Sequence, residues 1–194
     1  MPNWCNNGIT LRHADPAMIQ RAAKALQEGN FLQEFIPCPQ ELLDAVANFT
    51  TNEDLVAQHG YSSWYDFNIA KWGTKWDVNS DNVEIEDANT LTAAFDSAWA
   101  PPTTAMERLT EMGFTVKLYY YEPGMAFAGI WEDGIDSYYE YSDMSAAEVA
   151  ECFPKELDEM FCISESMAEW EAENAEDEEN IDIDLDGGLS STNE

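Results

Sequence analysis

Between Trp4 and Arg12 apolar and polar residues alternate, with Ile9 and Leu11 on one side, and this period of two predicts a strand over residues 4–12. Asp15-Pro16 follows as an N-cap and a proline suited to the first helical position. Met18, Ile19, Ala22, Ala23 and Leu26 then recur at helical spacing until Gly29 closes the helix. Residues 30–63 carry no clean period. Phe31, Phe35 and Ile36 read as buried, Pro37 and Pro39 interrupt the chain, and short helices are expected through Leu42-Leu43 and Leu55-Val56. Alternation returns at Val83-Glu84-Ile85-Glu86; Asp87-Ala88-Asn89 is turn chemistry, and Leu91, Ala93 and Phe95 alternate on the return. Pro101-Pro102 opens a second amphipathic helix, with Met106 and Leu109 on its stripe and Gly113 at its end.

From Phe114 to Tyr141 the pattern is that of a three-stranded meander, whose first strand places Thr115, Lys117, Tyr119 and Tyr121 on one side. Glu122-Pro123-Gly124-Met125 suits a type II turn, with Gly124 supplying the positive φ, and Asp133-Gly134 suits a type I′ hairpin. Ser145-Ala146-Ala147-Glu148 is a capping box. Leu157, Met160, Phe161, Met167 and Trp170 recur at helical spacing and predict a last helix docked on the body. Strand, helix, two strands, helix, strand is the ferredoxin-like β-α-β-β-α-β order. The expected class is therefore α+β, with an extended antiparallel sheet, helices on one face and an acidic C-terminal helix and tail. The division expected is a sheet domain over 1–153, a docking helix over 154–173 and a mobile acidic tail over 174–194.

Charge changes this picture at Lys155. All eight Lys and Arg residues lie at or before it, while fifteen of the 39 acids come after it, so the net charge of −31 is built as −16 and −15. Such a charge repels nucleic acid and anionic lipid and attracts basic protein surfaces. Apolar residues at 45%, with seven Trp, eight Tyr and nine Phe, still supply a real core. No stretch has the length and apolarity of a membrane span, and the first residues lack the regions of a signal peptide, so a cytoplasmic protein of a bacterial host is expected. Cys5, Cys38, Cys152 and Cys162 are far apart and only two His are present, which argues for buried thiols and against a zinc site. No cofactor and no metal are expected.

Four segments carry a family resemblance: Pro2-Asn3-Trp4-Cys5-Asn6-Asn7, Trp72-Gly73-Thr74-Lys75-Trp76-Asp77, Ala98-Trp99-Ala100-Pro101-Pro102, and Tyr120-Tyr121-Glu122-Pro123-Gly124-Met125-Ala126-Phe127-Ala128-Gly129. In this order the chain resembles, over about residues 1–132, the YubB-type ferredoxin-like family of small proteins encoded by bacterial plasmids and phages. The resemblance implies the fold already read and a mobile-element origin, and it brings no activity.

Candidate chemistry is sparse. The 72–77 segment reads either as a tight loop anchored by tryptophans, with Lys75 paired to Asp77 or Glu122, or as one wall of a polar pocket formed by Asn6, Asn7, Lys75, Asp77 and Glu122. In the first reading Trp4, Trp72, Trp76 and Trp99 are core or loop anchors. Glu84 and Glu86 share a strand face, as glycosidase carboxylates do, but nothing apolar around them would separate their pKa values. His13 and His59 lack any nucleophilic signature, and no catalytic residue is expected. Asp182-Ile183-Asp184-Leu185-Asp186-Gly187 matches half of a calcium loop without the closing glutamate.

The partner-binding candidates are Glu165, Glu169, Glu173, Glu176, Asp177, Glu178, Glu179, Asp182, Asp184 and Asp186. They lead to an expected function: a non-enzymatic acidic interaction protein of a phage or plasmid. It would bind and inhibit a basic nucleic-acid-handling host protein of a defence system, as a mimic of DNA or RNA. It would not bind nucleic acid or membrane itself. A duplex mimic would need Glu84, Glu86, Asp133, Asp136, Glu140 and Asp143 as a second row. The alternative is a small-ligand or enzymatic pocket around Lys75, Asp77 and Glu122.

Overall fold

The computed structural model describes residues 2–45 and 52–186, with side chains as far as residue 175. Strand β1 (Trp4–Arg12) buries every second residue, Cys5, Asn7, Ile9 and Leu11, as its alternation requires. Helix α1 (Pro16–Glu28) starts where the Asp15 carboxylate accepts the Ala17 N–H at 2.9 Å and stops at Gly29, which takes the left-handed φ of 73°. Its buried stripe holds Ile19, Ala22, Ala23 and Leu26.

Among the described residues, four short helices lie between α1 and the next strand: α2 (Phe31–Phe35), α3 (Gln40–Leu43), α4 (Glu53–His59) and α5 (Trp64–Lys71). Phe31, Leu32, Phe35 and Leu42 join the core of the sheet. Strands β2 (Asn82–Asp87) and β3 (Thr90–Ala98), helix α6 (Thr103–Glu111), and strands β4 (Thr115–Glu122), β5 (Phe127–Glu132) and β6 (Ile135–Glu140) follow. All pairings are antiparallel, in the order β2-β3-β1-β4-β5-β6. The first four strands in that order form the ferredoxin-like sheet, and β5 and β6 extend it.

Register places Ile9 beside Leu118 and Leu11 beside Val116, so both strands turn their apolar residues to one face. There they meet Ile19 and Leu26 of α1 and Met106 and Leu109 of α6 in a single core. At the edge of that core the Tyr120 ring lies across Gly129 and donates to the Asp136 carboxylate at 2.6 Å. A Cβ at Gly129 would stand 2.2 Å from the phenol oxygen, so only glycine fits. Burial, and then Asp136, push the Tyr120 phenol well above its ordinary range.

Two turns come out differently. Asp133 and Gly134 both take positive φ, 44° and 93°, as a type I′ hairpin demands. In the other, positive φ falls on Ala126 (53°) and not on Gly124, so the expected type II turn does not form. The reason is Glu122, whose carboxylate captures the N–H groups of Gly124 (2.9 Å) and Met125 (2.6 Å) and folds the loop around itself.

The chain divides into two compact units, residues 1–140 and 141–194, so the helix opened by Ser145 groups with the C-terminal helices. The second unit contains α7 (Ala146–Cys152), α8 (Lys155–Phe161) and α9 (Ile163–Asp186). The capping box forms: Ser145 Oγ accepts the Glu148 N–H, and the Glu148 carboxylate accepts the Ser145 N–H at 2.8 Å. Where one helix over 154–173 was expected there are two, because Cys162 adopts a left-handed φ of 50°. The Asp158 carboxylate then accepts the Ser164 N–H (2.7 Å) and hydroxyl (2.6 Å) to start α9. Glu171 of α9 accepts the Ala146 N–H of α7 at 2.8 Å. The break splits the apolar stripe: Leu157 is buried, but Met160 and Trp170, expected to dock, are exposed. Backbone helix continues to Asp186, into the stretch expected to be tail. Cys5 and Cys38 are buried as expected, whereas Cys152 and Cys162 are exposed, and all four are free thiols. No helix among the described residues is long and apolar enough to cross a membrane.

Candidate functional site

The four segments that carry the family resemblance converge on one end of the sheet. The antiparallel order brings the start of β1, the end of β3 and the β4–β5 turn together there. The pairing of Trp4 with Ala98 is extended by one bond, from the Trp99 N–H to the Asn3 carbonyl at 3.0 Å. The 72–77 loop is stitched onto this end by Thr74, which is wholly buried. Its hydroxyl donates to the Ala98 carbonyl at 2.9 Å and accepts the Ala98 N–H at 3.1 Å. Gly73, at φ 83°, lets the loop pass close to the Pro101 carbonyl and Thr104; a Cβ there would stand 3.3 Å from each. Asn68 of α5 holds the loop from the other side, donating to the Lys75 carbonyl at 2.9 Å.

The tryptophans split into two kinds. Trp72 is 3% exposed, packs edge-on against Phe67 and donates its indole N–H to the Ile36 carbonyl at 2.9 Å. It is an anchor, as expected. Trp4 (46% exposed), Trp76 (38%) and Trp99 (49%) are not core residues. Trp4 and Trp76 lie with ring centroids 6.0 Å apart, and the Lys75 ammonium stands 4.5 Å over the Trp76 ring. Met125, exposed in the neighbouring turn, adds to the same end, since the Asn3 side chain abuts Gly124. Trp99 holds φ 73°, a left-handed conformation that costs a bulky residue about 1–3 kcal/mol.

The expected polar pocket is corrected by this geometry. Asn6 and Asn7 point to opposite faces of β1: Asn6 donates to Asp96 at 2.7 Å, while buried Asn7 donates to the Cys5 carbonyl (2.7 Å) and Ser97 Oγ (2.9 Å). Lys75 lies on Trp76 and is not paired with Asp77 or Glu122. Asp77 instead caps α2, accepting the N–H groups of Leu32 (2.7 Å) and Gln33 (2.8 Å) as well as that of Val78 (2.8 Å). Burial raises the Asp77 carboxyl above its usual value, against the pull of those three bonds. Glu122, 1% exposed, is used by its own turn. The five side chains are five separate structural devices.

The other candidates also fall into place. Burial pushes the Cys5 thiol up to about 12 and the Cys38 thiol up to about 11, which makes both poor nucleophiles. His13 accepts the Asp15 N–H at 3.0 Å and packs on Phe114. No group of His, Cys, Asp and Glu suited to a metal occurs among the described residues.

The six acids expected to form a second row do not line up. Glu84 and Glu86 lie on β2 and Asp136 and Glu140 on β6, at opposite edges of the sheet. Five strand spacings of ~4.8 Å separate those edges by about 24 Å. Asp133 is tied to the Val116 N–H at 3.0 Å, Asp136 holds Tyr120, and Asp143 belongs to the second unit. The ten partner-binding candidates all lie along α9. Glu165, Glu169 and Glu173, four residues apart, share one side of the helix and are exposed. Glu176, Asp177, Glu178, Glu179, Asp182, Asp184 and Asp186 lie on its backbone, their side chains outside the described residues. The calcium-loop half at Asp182–Asp186 falls in the same helical backbone, again with its side chains outside them.

Signals for the exposed indoles were present as three tryptophan-bearing segments among the four that converge; what the residues do not encode locally is which tryptophan turns inward. Comparison with known proteins bears on the fold. No curated protein matches the chain. A crystal structure of the protein api92 from Yersinia pseudotuberculosis aligns with 73% of this chain and 99% of its own, at 12% identity and a TM-score of 0.39. Residues 71–164, which include three of the four convergent segments, match the family model described as the ferredoxin-like domain in Api92-like protein.

Proposed function

We propose that this is a non-enzymatic acidic interaction protein of a phage or plasmid, which binds a basic nucleic-acid-handling protein of its bacterial host and blocks it, with host defence proteins as the target class. The mobile-element setting rests on the resemblance of the four segments. The observation that carries the reading is the charge spacing of α9. Its 24 residues contain eleven acids and no base. At ~1.5 Å per residue the helix is about 36 Å long, or about one charge per 3.3 Å. One strand of a duplex presents one phosphate per ~3.4 Å, and the whole duplex one per ~1.7 Å of axis. With no second row on the sheet, the helix resembles one strand in linear charge and falls short of a duplex.

The test is binding of the full chain to purified basic nucleic-acid-binding host proteins at rising salt. The inhibited partner should lose at least about tenfold in affinity between 50 and 200 mM salt. Deleting the residues after Glu173 should weaken binding and flatten the salt response, and single-stranded oligonucleotide should displace the protein. Salt-insensitive binding to every such partner would sink the reading.

A further inference from the structure

We infer that the exposed indoles of Trp4, Trp76 and Trp99 form an anchoring surface for arginine side chains of a basic protein partner. This rests on the proposed function and adds to it a second contact, remote in sequence from α9. Three half-exposed indoles at one end of a sheet are unusual, because large aromatic side chains are normally drawn into the core. They are also the residues that most often dominate protein interfaces. Trp99 keeps a left-handed backbone, costly for a bulky residue, although its side chain is only half buried.

The occupant follows from charge. The chain has 39 acids against eight bases, so its partners are cationic. Locally, residues 2–7, 72–77, 96–102 and 120–129 hold Asp77, Asp96 and Glu122 against Lys75 alone. An indole of this site already accepts a cation, since the Lys75 ammonium stands 4.5 Å over Trp76. The half-exposed Trp4 and Trp99 indoles carry the same π-face chemistry. Arginine fits better than lysine because its planar, weakly hydrated guanidinium stacks on an indole with little loss of hydration. The acidic helix would then supply long-range attraction, and the indoles the short-range choice among basic partners.

The experiment uses the full chain and labelled peptides read by fluorescence anisotropy: an arginine–glycine repeat, its lysine–glycine counterpart, a proline-rich peptide and oligo-dT. The arginine peptide should bind roughly three- to fivefold tighter than the lysine peptide. Trp4→Ala and Trp99→Gly should each weaken the arginine peptide by about that factor and erase the preference. Glycine accepts φ 73° freely, so Trp99→Gly relieves the backbone as it loses packing and stays folded; binding read well below its melting midpoint is then not lost through unfolding. Truncation after Glu173 should weaken both basic peptides equally and leave the preference intact. Unchanged arginine binding in both tryptophan variants overturns the inference, as does tighter binding of the proline-rich peptide or oligo-dT. If truncation leaves the basic peptides unaffected while the preference persists, the acidic-helix reading fails and the arginine surface stands.

Discussion

The tryptophan-rich end of the sheet and helix α9 are built by opposite means. The first is assembled from segments far apart in the chain: Thr74 joins Ala98 across 24 residues, and Asp77 reaches Leu32 across 45. The second is contiguous; its helical bonds are local, and its charge comes from composition alone. A surface held by long-range bonds keeps a fixed shape and can discriminate among partners that touch it. A solvated row of carboxylates acts at a distance, raises encounter rates and is screened by salt. The two proposed binding features of this acidic protein can therefore be separated by what destroys them: loss of packing for one, ionic strength for the other.

The largest expected effect breaks the sheet end. Thr74→Val keeps the side chain's shape and removes both hydrogen bonds, leaving the N–H and carbonyl of Ala98 unsatisfied beside a buried residue. That should cost about 2–4 kcal/mol in chemical denaturation. Deleting residues 174–194 removes eight acids and no base, taking the net charge from −31 to −23, yet should change stability by less than about 0.5 kcal/mol. If the two changes cost the same, the contrast between long-range and local construction is wrong.

Acid sharpens the comparison, because one carboxyl in each unit shifts in the opposite direction. Burial raises Asp77 above its ordinary 3.8, so its contribution to stability is complete below that value and is lost as pH rises through the folded pKa. Glu148 is lowered below 4.5 by its bonds to Ser145, so its contribution is present above 4.5 and lost as pH falls through the folded pKa. On acidification the start of α7 should loosen as pH falls through the folded pKa of Glu148, whereas protonation relieves the burial penalty of the Asp77 carboxyl. Carbon-detected NMR titration of the two carboxyls measures this directly. Finding Glu148 above its ordinary 4.5, or Asp77 below its ordinary 3.8, would reverse the assignment.

Legibility followed the range of the interactions. Strand β1, helix α1 between Asp15 and Gly29, the meander and the Ser145 capping box are set by neighbours within a few residues, and their sequence patterns announce them. The ferredoxin-like order followed from those elements. The short helices before β2 were only partly readable because α2 is capped by Asp77, which no local rule connects to Phe31. The Pro-Gly turn misled for a similar reason: Glu122 competes for the N–H groups that a type II turn would leave free. The supposed pocket of Asn6, Asn7, Lys75, Asp77 and Glu122 grouped residues by chemistry, whereas strand alternation and backbone capping disperse them. Three indoles in solvent could not be told from Trp72 by residue type.

The smallest expected effect concerns Trp99. Its substitution by glycine removes a side chain that is half buried, which costs stability, and relieves a left-handed backbone, which returns it. Glycine also enlarges the freedom of the unfolded chain, a further cost of roughly 0.5–1 kcal/mol. These contributions oppose one another, so the midpoint of denaturation should move by less than about 1 kcal/mol in either direction. Thr74→Val, at the same end of the sheet, sets the scale for a residue that the fold requires. A loss for Trp99→Gly as large as that for Thr74→Val would show that the indole packs the sheet end and that its strain is structural. A near-neutral outcome leaves the conformation of Trp99 without a purpose in folding, and a cationic partner is then the simplest reason to keep an indole there.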